Sequence, residues 1–303
     1  MSLAQLFVNG VVYSCIIILA SIGLSLVYSI GNFANFAHGD TMAVGAFGAI
    51  VAAPAIQSHA PGAAVAGFPL WFFGALAVGM LVAVVVVVAT EYLVYRPLDA
   101  DPIGLLITSI GVALAYRALL MMQFGSGQRT YPMSRGGRIE WIDEAFGVAV
   151  TVRDLVIVLT TILLVVSLHA LLQYTTLGRK MRAMADNAEL ARVAGIRTRE
   201  VVLAMWIIGG ALAAAGGVFL GLDTLVTPRM GFELLLLIFA AVILGGIGSV
   251  YGAMLGGFAI GMAHELTPAI PYIGTEYNAA VAFVLLVVIL LVRPSGILGG
   301  DVE

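Results

Sequence analysis

Charge is what this sequence has least of. Only 10% of its 303 residues are Asp, Glu, Lys or Arg, against roughly 25% in an ordinary soluble domain. At 61% hydrophobic residues and a mean hydropathy of +1.08, the chain can fill a large core but cannot clothe it in polar surface. Water is therefore excluded as its solvent. The net charge of −3 is too small to point to a nucleic-acid partner. Cysteine is down to one residue, Cys15, which excludes an internal disulfide and reads as a small core residue. No Walker-type phosphate loop is present, so the chain is not expected to hydrolyse ATP itself. No His/Cys/Asp/Glu spacing fits a metal site, and His59, His169 and His264 stand isolated, so neither a metal nor another cofactor is expected. A basic n-region is lacking as well: the first apolar run follows "MSLAQ" and is long enough to stay as a transmembrane helix.

What the sequence has instead is long apolar runs. "LWFFGALAVGMLVAVVVVVA" (70–89) carries no charge over about the 20 residues that a helix needs to cross the hydrocarbon. Barrel strands alternate in roughly ten-residue units, so a barrel is excluded. The pattern predicts an all-α, polytopic membrane protein with apolar segments near 4–28, 36–54, 69–94, 103–124, 153–173, 201–221, 232–247, 252–266 and 278–292. Some are short enough to be broken or half-helices, which leaves the count at eight or nine crossings. Two connections are long. The 174–200 loop holds six of the 14 basic residues, Arg179, Lys180, Arg182, Arg192, Arg197 and Arg199, and so belongs on the cytoplasmic side. Counting outward puts the Arg96 turn and the Arg293 tail on that side too. The 125–152 loop lands outside, where Arg129, Arg135 and Arg138 are offset by Glu140, Asp143 and Glu144. Nine crossings place the N-terminus outside.

Glycine concentrates in "GDTMAVGAFGAIVAA" (39–53) and "LGGIGSVYGAMLGGFAIG" (244–261). Small residues four apart, as in Gly39/Ala43, Gly45/Ala49 and Gly252/Gly256, let membrane helices approach closely. Interrupted segments in corresponding halves also mark transport sites, so tight packing and a pathway are both open. "GNFANFAHGD" (31–40) places Asn32, Asn35, His38 and Asp40 ahead of the first of these runs. As a helix it would align Asn32, Asn35 and His38 on one face, with Asp40 pointing elsewhere. Ionisable residues at membrane depth usually face a bundle interior or a wet cavity. Support of a broken helix and lining of a pathway are the two readings; catalysis by a His–Asp pair without a nucleophile is the weakest. Glu91, Arg96, Glu233 and Glu265 read as boundary charges, and Arg117 as a side chain able to snorkel. "GRKMRAMADNAELARVAGI" (178–196) predicts a short amphipathic helix ending at Gly195, with Ala183 and Ala191 on its small, apolar faces and Asp186 and Glu189 among its charges.

These motifs carry a resemblance. "NFAHGD", "YRPL" (95–98), "LLITSIG" (105–111), "LGRKMRAMADNAELARVAGI" (177–196), "AAVILGGIGSVYGAMLGG" (240–257) and "RPSGILG" (293–299) resemble, in order, the LivH-type permease subunits of branched-chain amino-acid ABC importers. The resemblance implies one permease domain over 1–303 in a prokaryotic cell membrane. It implies a second, LivM-like permease subunit, two cytoplasmic ATPase subunits and an extracytoplasmic binding protein that delivers a small molecule. The loop at 174–200 then resembles the ATPase coupling loop, with Ala183, Asp186, Glu189, Ala191 and Gly195 in its coupling helix. Two departures stand out. Asp40 replaces a frequent Glu and keeps the charge. Leu236 falls where the family often has Lys, which leaves the substrate open between hydrophobic amino acids, urea and short amides. An autonomous proton-coupled transporter or an intramembrane enzyme using His38 and Asp40 are readings of other classes.

Overall fold

The computed structural model describes residues 2–299 apart from 60, 61, 63, 66, 99, 134–136, 271 and 273; Arg135 of the outer loop lies outside the described residues. Every apolar segment is a helix. α1 spans Leu3–Gly31 and α2 Ala37–His59. After a two-stranded hairpin, β1 (Ala64–Val65) with β2 (Phe68–Pro69), α3 (Trp71–Thr90) runs on through a π-helical turn at Glu91–Tyr95 into α4 (Arg96–Leu98). α5 (Pro102–Phe124), a short α6 (Glu140–Phe146) and α7 (Val152–Tyr174) follow. α8 (Thr176–Asp186) and α9 (Ala188–Val193) form the basic loop. α10 (Thr198–Asp223), α11 (Met230–Gly245), α12 (Val250–Leu266) and α13 (Asn278–Val292) complete the chain.

Helix ends are set by local chemistry. Asp101 caps α5 through a bond from the Gly104 amide, ahead of Pro102 in the first turn. Thr151 and Asp154 form a reciprocal capping box on α7. Seven helical spans are long and apolar enough to cross a bilayer. α11 and α12 have 16 and 17 residues, which at roughly 1.5 Å per residue gives about 24 and 26 Å, short of a hydrocarbon core of about 30 Å. They are the short segments the sequence suggested, and they pack as an antiparallel pair across the turn at 246–249.

α1 is the central post. Nine-tenths of its most apolar window is buried, and α2 and α10 flank it with two-thirds of theirs buried. α5, α7 and α13 turn most of their apolar surface outward, with Leu114, Leu159 and Val287 all more than half exposed. Close approach at the centre relies on missing side chains. Gly39 meets the Gly231 carbonyl, Gly45 sits on Ala214, Gly209 on Gly23 and Gly256 on the Ala241 carbonyl. The small-residue stripes thus pack helices against one another.

Connections segregate to two ends. At one end Gln5 bonds the backbone of Ala149 and Arg129 pairs with Val226, which joins the N-terminus to the outer loop. At the other end the tail residues Ile297 and Leu298 bond the carbonyls of Leu244 and Gly245, and α8 lies beside Gly248. The N-terminus and the 293–299 tail thus lie at opposite ends of the bundle.

These contacts generate a packing test. Gly39→Val would drive a branched side chain into the Gly231 backbone, which cannot rotate away; overpacking of this kind costs about 1–3 kcal/mol. Gly111 is exposed, with nothing within 4 Å of an added Cβ. Thermal unfolding of the purified chain in detergent should show Tm lowered by several degrees for Gly39→Val and unchanged or slightly raised for Gly111→Ala. Equal midpoints would show that the α2–α11 contact is slack.

Candidate functional site

Asn32 ends α1 in the left-handed region, at φ 55°. The chain then runs without helix to Ala37. His38 Nε2 lies 2.9 Å from the Ala20 carbonyl; a carbonyl only accepts, so Nε2 carries the proton. Ala20 is about three turns, or about 16 Å, up α1 from its inner end. The stretch 32–36 therefore climbs back into the membrane, and α2 starts at membrane depth. Irregular backbone is tolerated there only where its polar groups find partners. Here Asn35 Oδ1 accepts from the Ala37 amide (3.0 Å) and from the Tyr95 hydroxyl (3.4 Å). Ser109 Oγ on α5 accepts from the Phe36 amide at 3.0 Å. Asn35 and His38 are buried, and Asp40 is wholly so.

The single helical face expected for Asn32, Asn35 and His38 does not form, because the left-handed residue stops α1 first. Asn32 is exposed and lines a cavity of about 370 Å³ with Tyr28, Ser29 and Asp186 of α8. Asn35, His38 and Asp40 are brought close together, but on different partners.

Asp40 finds Arg117. The guanidinium donates through Nε to Oδ1 (3.0 Å) and through Nη2 to Oδ2 (2.9 Å), and it lies 4.3 Å from the centroid of the Phe232 ring. This corrects the snorkelling expectation for Arg117: its side chain is 15% exposed and turned inward. Sequence reasoning weighed each charge singly. The available signal was that two opposite charges interrupt otherwise apolar segments. Glu91 also has a specific partner, the Trp206 indole N–H at 2.8 Å, and Tyr95 stacks on Trp206 with the rings 4° apart. His264 bonds Glu265 at 3.0 Å and His169 bonds Tyr251 at 2.8 Å, so neither is isolated. Among the described residues no three His, Cys, Asp or Glu side chains gather as a metal site.

The basic loop is two helices rather than one. Asn187 adopts an extended backbone, closes α8 and caps α9 by accepting from the Leu190 amide. Ala183 and Asp186 fall on α8, Glu189 and Ala191 on α9. Gly195 has φ +82°, the Gly195 amide bonds the Arg192 carbonyl and the Ile196 amide bonds the Ala191 carbonyl. That is a Schellman ending, which requires a left-handed residue, as the sequence suggested for Gly195. Ala191 is buried against the body of the protein at 4% exposure, whereas Leu190 and Val193 are exposed at 65% and 85%. Asp186 and Glu189 are also exposed.

Among the described residues, a bundle of nine apolar helices with a re-entrant break and a basic two-helix loop is that of a multi-pass membrane transport component. The family model for the permease component of branched-chain amino acid transport systems matches residues 6–290. The chain is 34% identical over 308 residues to the high-affinity branched-chain amino acid transport system permease protein LivH of Escherichia coli K12, covering 98% of this chain and 95% of that one. It is 31% identical to BraD of Pseudomonas aeruginosa, a permease protein of the same description, over 97% and 95% of the two chains. It is 29% identical to a probable LivH of the archaeon Methanocaldococcus jannaschii, over 97% and 91%. The chain belongs to the family of branched-chain amino-acid transport permease components, multi-pass proteins of the cell membrane.

The buried ion pair can be tested directly. Asp40→Asn or Arg117→Met alone should destabilise the chain by about 3–5 kcal/mol, since each leaves a buried charge without its partner. Asp40→Leu with Arg117→Met should recover a substantial part of that loss. A double-mutant cycle on unfolding free energy reads the coupling; additive effects would mean that the two side chains do not act as a pair.

Proposed function

We propose that this chain is one permease subunit of a binding-protein-dependent ABC importer, and that it translocates branched-chain or other hydrophobic amino acids. The observation that carries the reading is the end-to-end match to relatives named as branched-chain amino-acid permeases. In this reading residues 1–303 act as one permease domain without an ATPase site of its own. A second, LivM-like permease completes the pathway, two cytoplasmic ATPases drive it and an extracytoplasmic binding protein supplies the substrate.

The site residues take roles within that assembly. Asn35 and His38 hold the re-entrant break beside the pathway, and Asp40 fixes α2 to α5 through Arg117. Asn32 belongs to the cytoplasmic foot of α1. α8 and α9 form the ATPase docking element. Its docking face is Leu190 and Val193, with Glu189 and Asp186 at the rim, because apolar anchors in a groove supply the affinity. Ala183, Ala191 and Gly195 shape that element from behind. Leu236, which replaces the frequent Lys, is 60% exposed on α11, one turn from Phe232. An apolar side chain there suits an apolar substrate.

Reconstitution tests the whole reading. The isolated chain in proteoliposomes should show no ATP hydrolysis and no uphill uptake; with its second permease, ATPases and binding protein it should accumulate leucine. Proton-driven accumulation by the chain alone would overturn the importer, and competition by urea but not by leucine would overturn the substrate class. Asn35→Leu should cut uptake roughly five- to a hundredfold, since about 1–3 kcal/mol of hydrogen bonding is lost at the break, and Asp40→Glu should cut it less. Leu190→Asp with Val193→Asp should reduce co-purifying ATPase several-fold while leaving the permease folded, whereas Arg199→Gln should leave ATPase retention near normal, as a single exposed charge contributes little.

A further inference from the structure

One feature of the cytoplasmic boundary lies outside the docking element. α3 leaves the membrane through the π-helical turn Glu91–Tyr95; such turns frequently accompany functional sites. Beside it lies a cavity of about 390 Å³, lined by Tyr92, Arg96, Leu105, Thr198, Arg199 and Leu203, with Glu91 in its wall. Arg96 and Arg199 come from different helices, yet both guanidiniums lie 5.6 Å from the centroid of the same Tyr92 ring. Both are exposed, and neither forms an ion pair with any described residue. Of the nearby acids, Glu91 in the cavity wall also attracts Arg96 through space. Glu91 accepts from Trp206 at 2.8 Å, and Glu200 is held by Lys180 (3.1 Å) and Arg197 (2.7 Å). The first turn of α10, which supplies Thr198 and Arg199, has no side-chain cap and carries Glu200.

Two like charges over one ring, lining one cavity, call for an anionic ligand. The surroundings select which kind. Leu105, Val202 and Leu203 line the cavity, and Leu93, Leu98 and Ile103 are 76%, 52% and 68% exposed close by. A phosphate with acyl chains satisfies both halves; a free phosphate satisfies one. Basic pockets between membrane helices on the cytoplasmic side bind anionic headgroups.

We propose that Arg96 and Arg199 bind the headgroup phosphate of an anionic phospholipid from the cytoplasmic leaflet in this cavity. The bound lipid braces the π-helical turn. Tyr95 at the end of that turn stacks on Trp206 and donates to Asn35, so the lipid site and the re-entrant break share one aromatic wall.

The test uses the purified full chain in nanodiscs that mix phosphatidylglycerol with phosphatidylcholine. Native mass spectrometry should find phosphatidylglycerol retained with a preference of roughly tenfold, as two arginines near a membrane surface allow. Arg96→Gln with Arg199→Gln should bring the preference near unity, and Arg179→Gln with Arg192→Gln, an equal loss of two charges on α8 and α9, should leave it intact. A preserved preference in the Arg96/Arg199 variant overturns the proposal, as does an equal loss in the Arg179/Arg192 variant. Millimolar inorganic phosphate should not displace the lipid; displacement would mean a soluble-anion site instead. A second measurement needs no variant. Trp206 adjoins the cavity, while Trp71 and Trp141 lie toward the opposite membrane face. Brominated phosphatidylglycerol should therefore quench tryptophan fluorescence more than brominated phosphatidylcholine does, and equal quenching overturns the site even if the Arg96/Arg199 variant does not fold.

Discussion

The side-chain amide of Asn35 holds the feature on which the centre of this fold depends. A helix that begins half-way through a membrane exposes the free amides of its first turn where there is no water to bond them, and each unsatisfied group costs several kcal/mol. Asn35 Oδ1 takes the Ala37 amide and Ser109 takes the Phe36 amide. With those groups satisfied α2 can start deep, and three further contacts follow from its position. His38 reaches the Ala20 carbonyl, Asp40 reaches Arg117, and Gly39 comes against Gly231. A start of α2 at the membrane surface would leave all three in the wrong register. The glycine at 39 follows from the same geometry, because the first turns of α2 and α11 meet backbone to backbone.

The Asp40–Arg117 pair is better understood as a register device than as a source of net stability. Taking both charges out of water is expensive, and their attraction offsets that only when geometry is good and the remaining polar atoms are satisfied. The bidentate contact and the Phe232 ring under the guanidinium supply good geometry. What the pair adds is discrimination. Sliding α2 along α5 by one turn would strand a carboxylate and a guanidinium in an apolar bundle, whereas sliding two smooth apolar helices would cost little. The small-residue contacts act in the same direction, since a glycine notch fits only the backbone opposite it.

Much of this architecture was legible in the sequence because the bilayer simplifies the reading. Apolar runs report helices directly, and all nine segments are helical, including the two short ones at 230–245 and 250–266. The ending at Gly195 was legible because a left-handed cap leaves a local signature. What the sequence hid was pairing across distance. Nothing local to Arg117 says that its partner lies 77 residues earlier, nor that Glu91 serves Trp206 or His169 serves Tyr251. The break at 32–36 was visible as polarity, but its depth was not, because depth depends on how far the chain climbs after Asn32. The split at Asn187 was missed for a different reason. Alanine-rich flanks on both sides favour helix strongly, and the capping preference of Asn, which is legible in "ADNAEL", was outweighed by that propensity.

Exposed apolar residues carry different information at different heights in this molecule. On α5, α7 and α13 they face a surface where lipid is as good a solvent as protein, so Leu159 or Val287 at more than half exposure implies no partner by itself. α8 and α9 carry charged faces that suit water, and exposed apolar area in water costs about 25 cal/mol per Å² relative to burial. Leu190 and Val193 stand in that water on a six-residue helix whose buried face is only Ala191. A free-standing loop would gain by exchanging the two faces, with the small residue outward and the large ones inward. The observed arrangement holds the large side chains away from the body, and the Asn187 cap and the Gly195 ending fix the helix in that rotation. The element presents an apolar surface at the end of the bundle that carries the basic loop, and its orientation is set by the same backbone chemistry, a side-chain cap and a left-handed residue, that sets the break at the centre of the membrane.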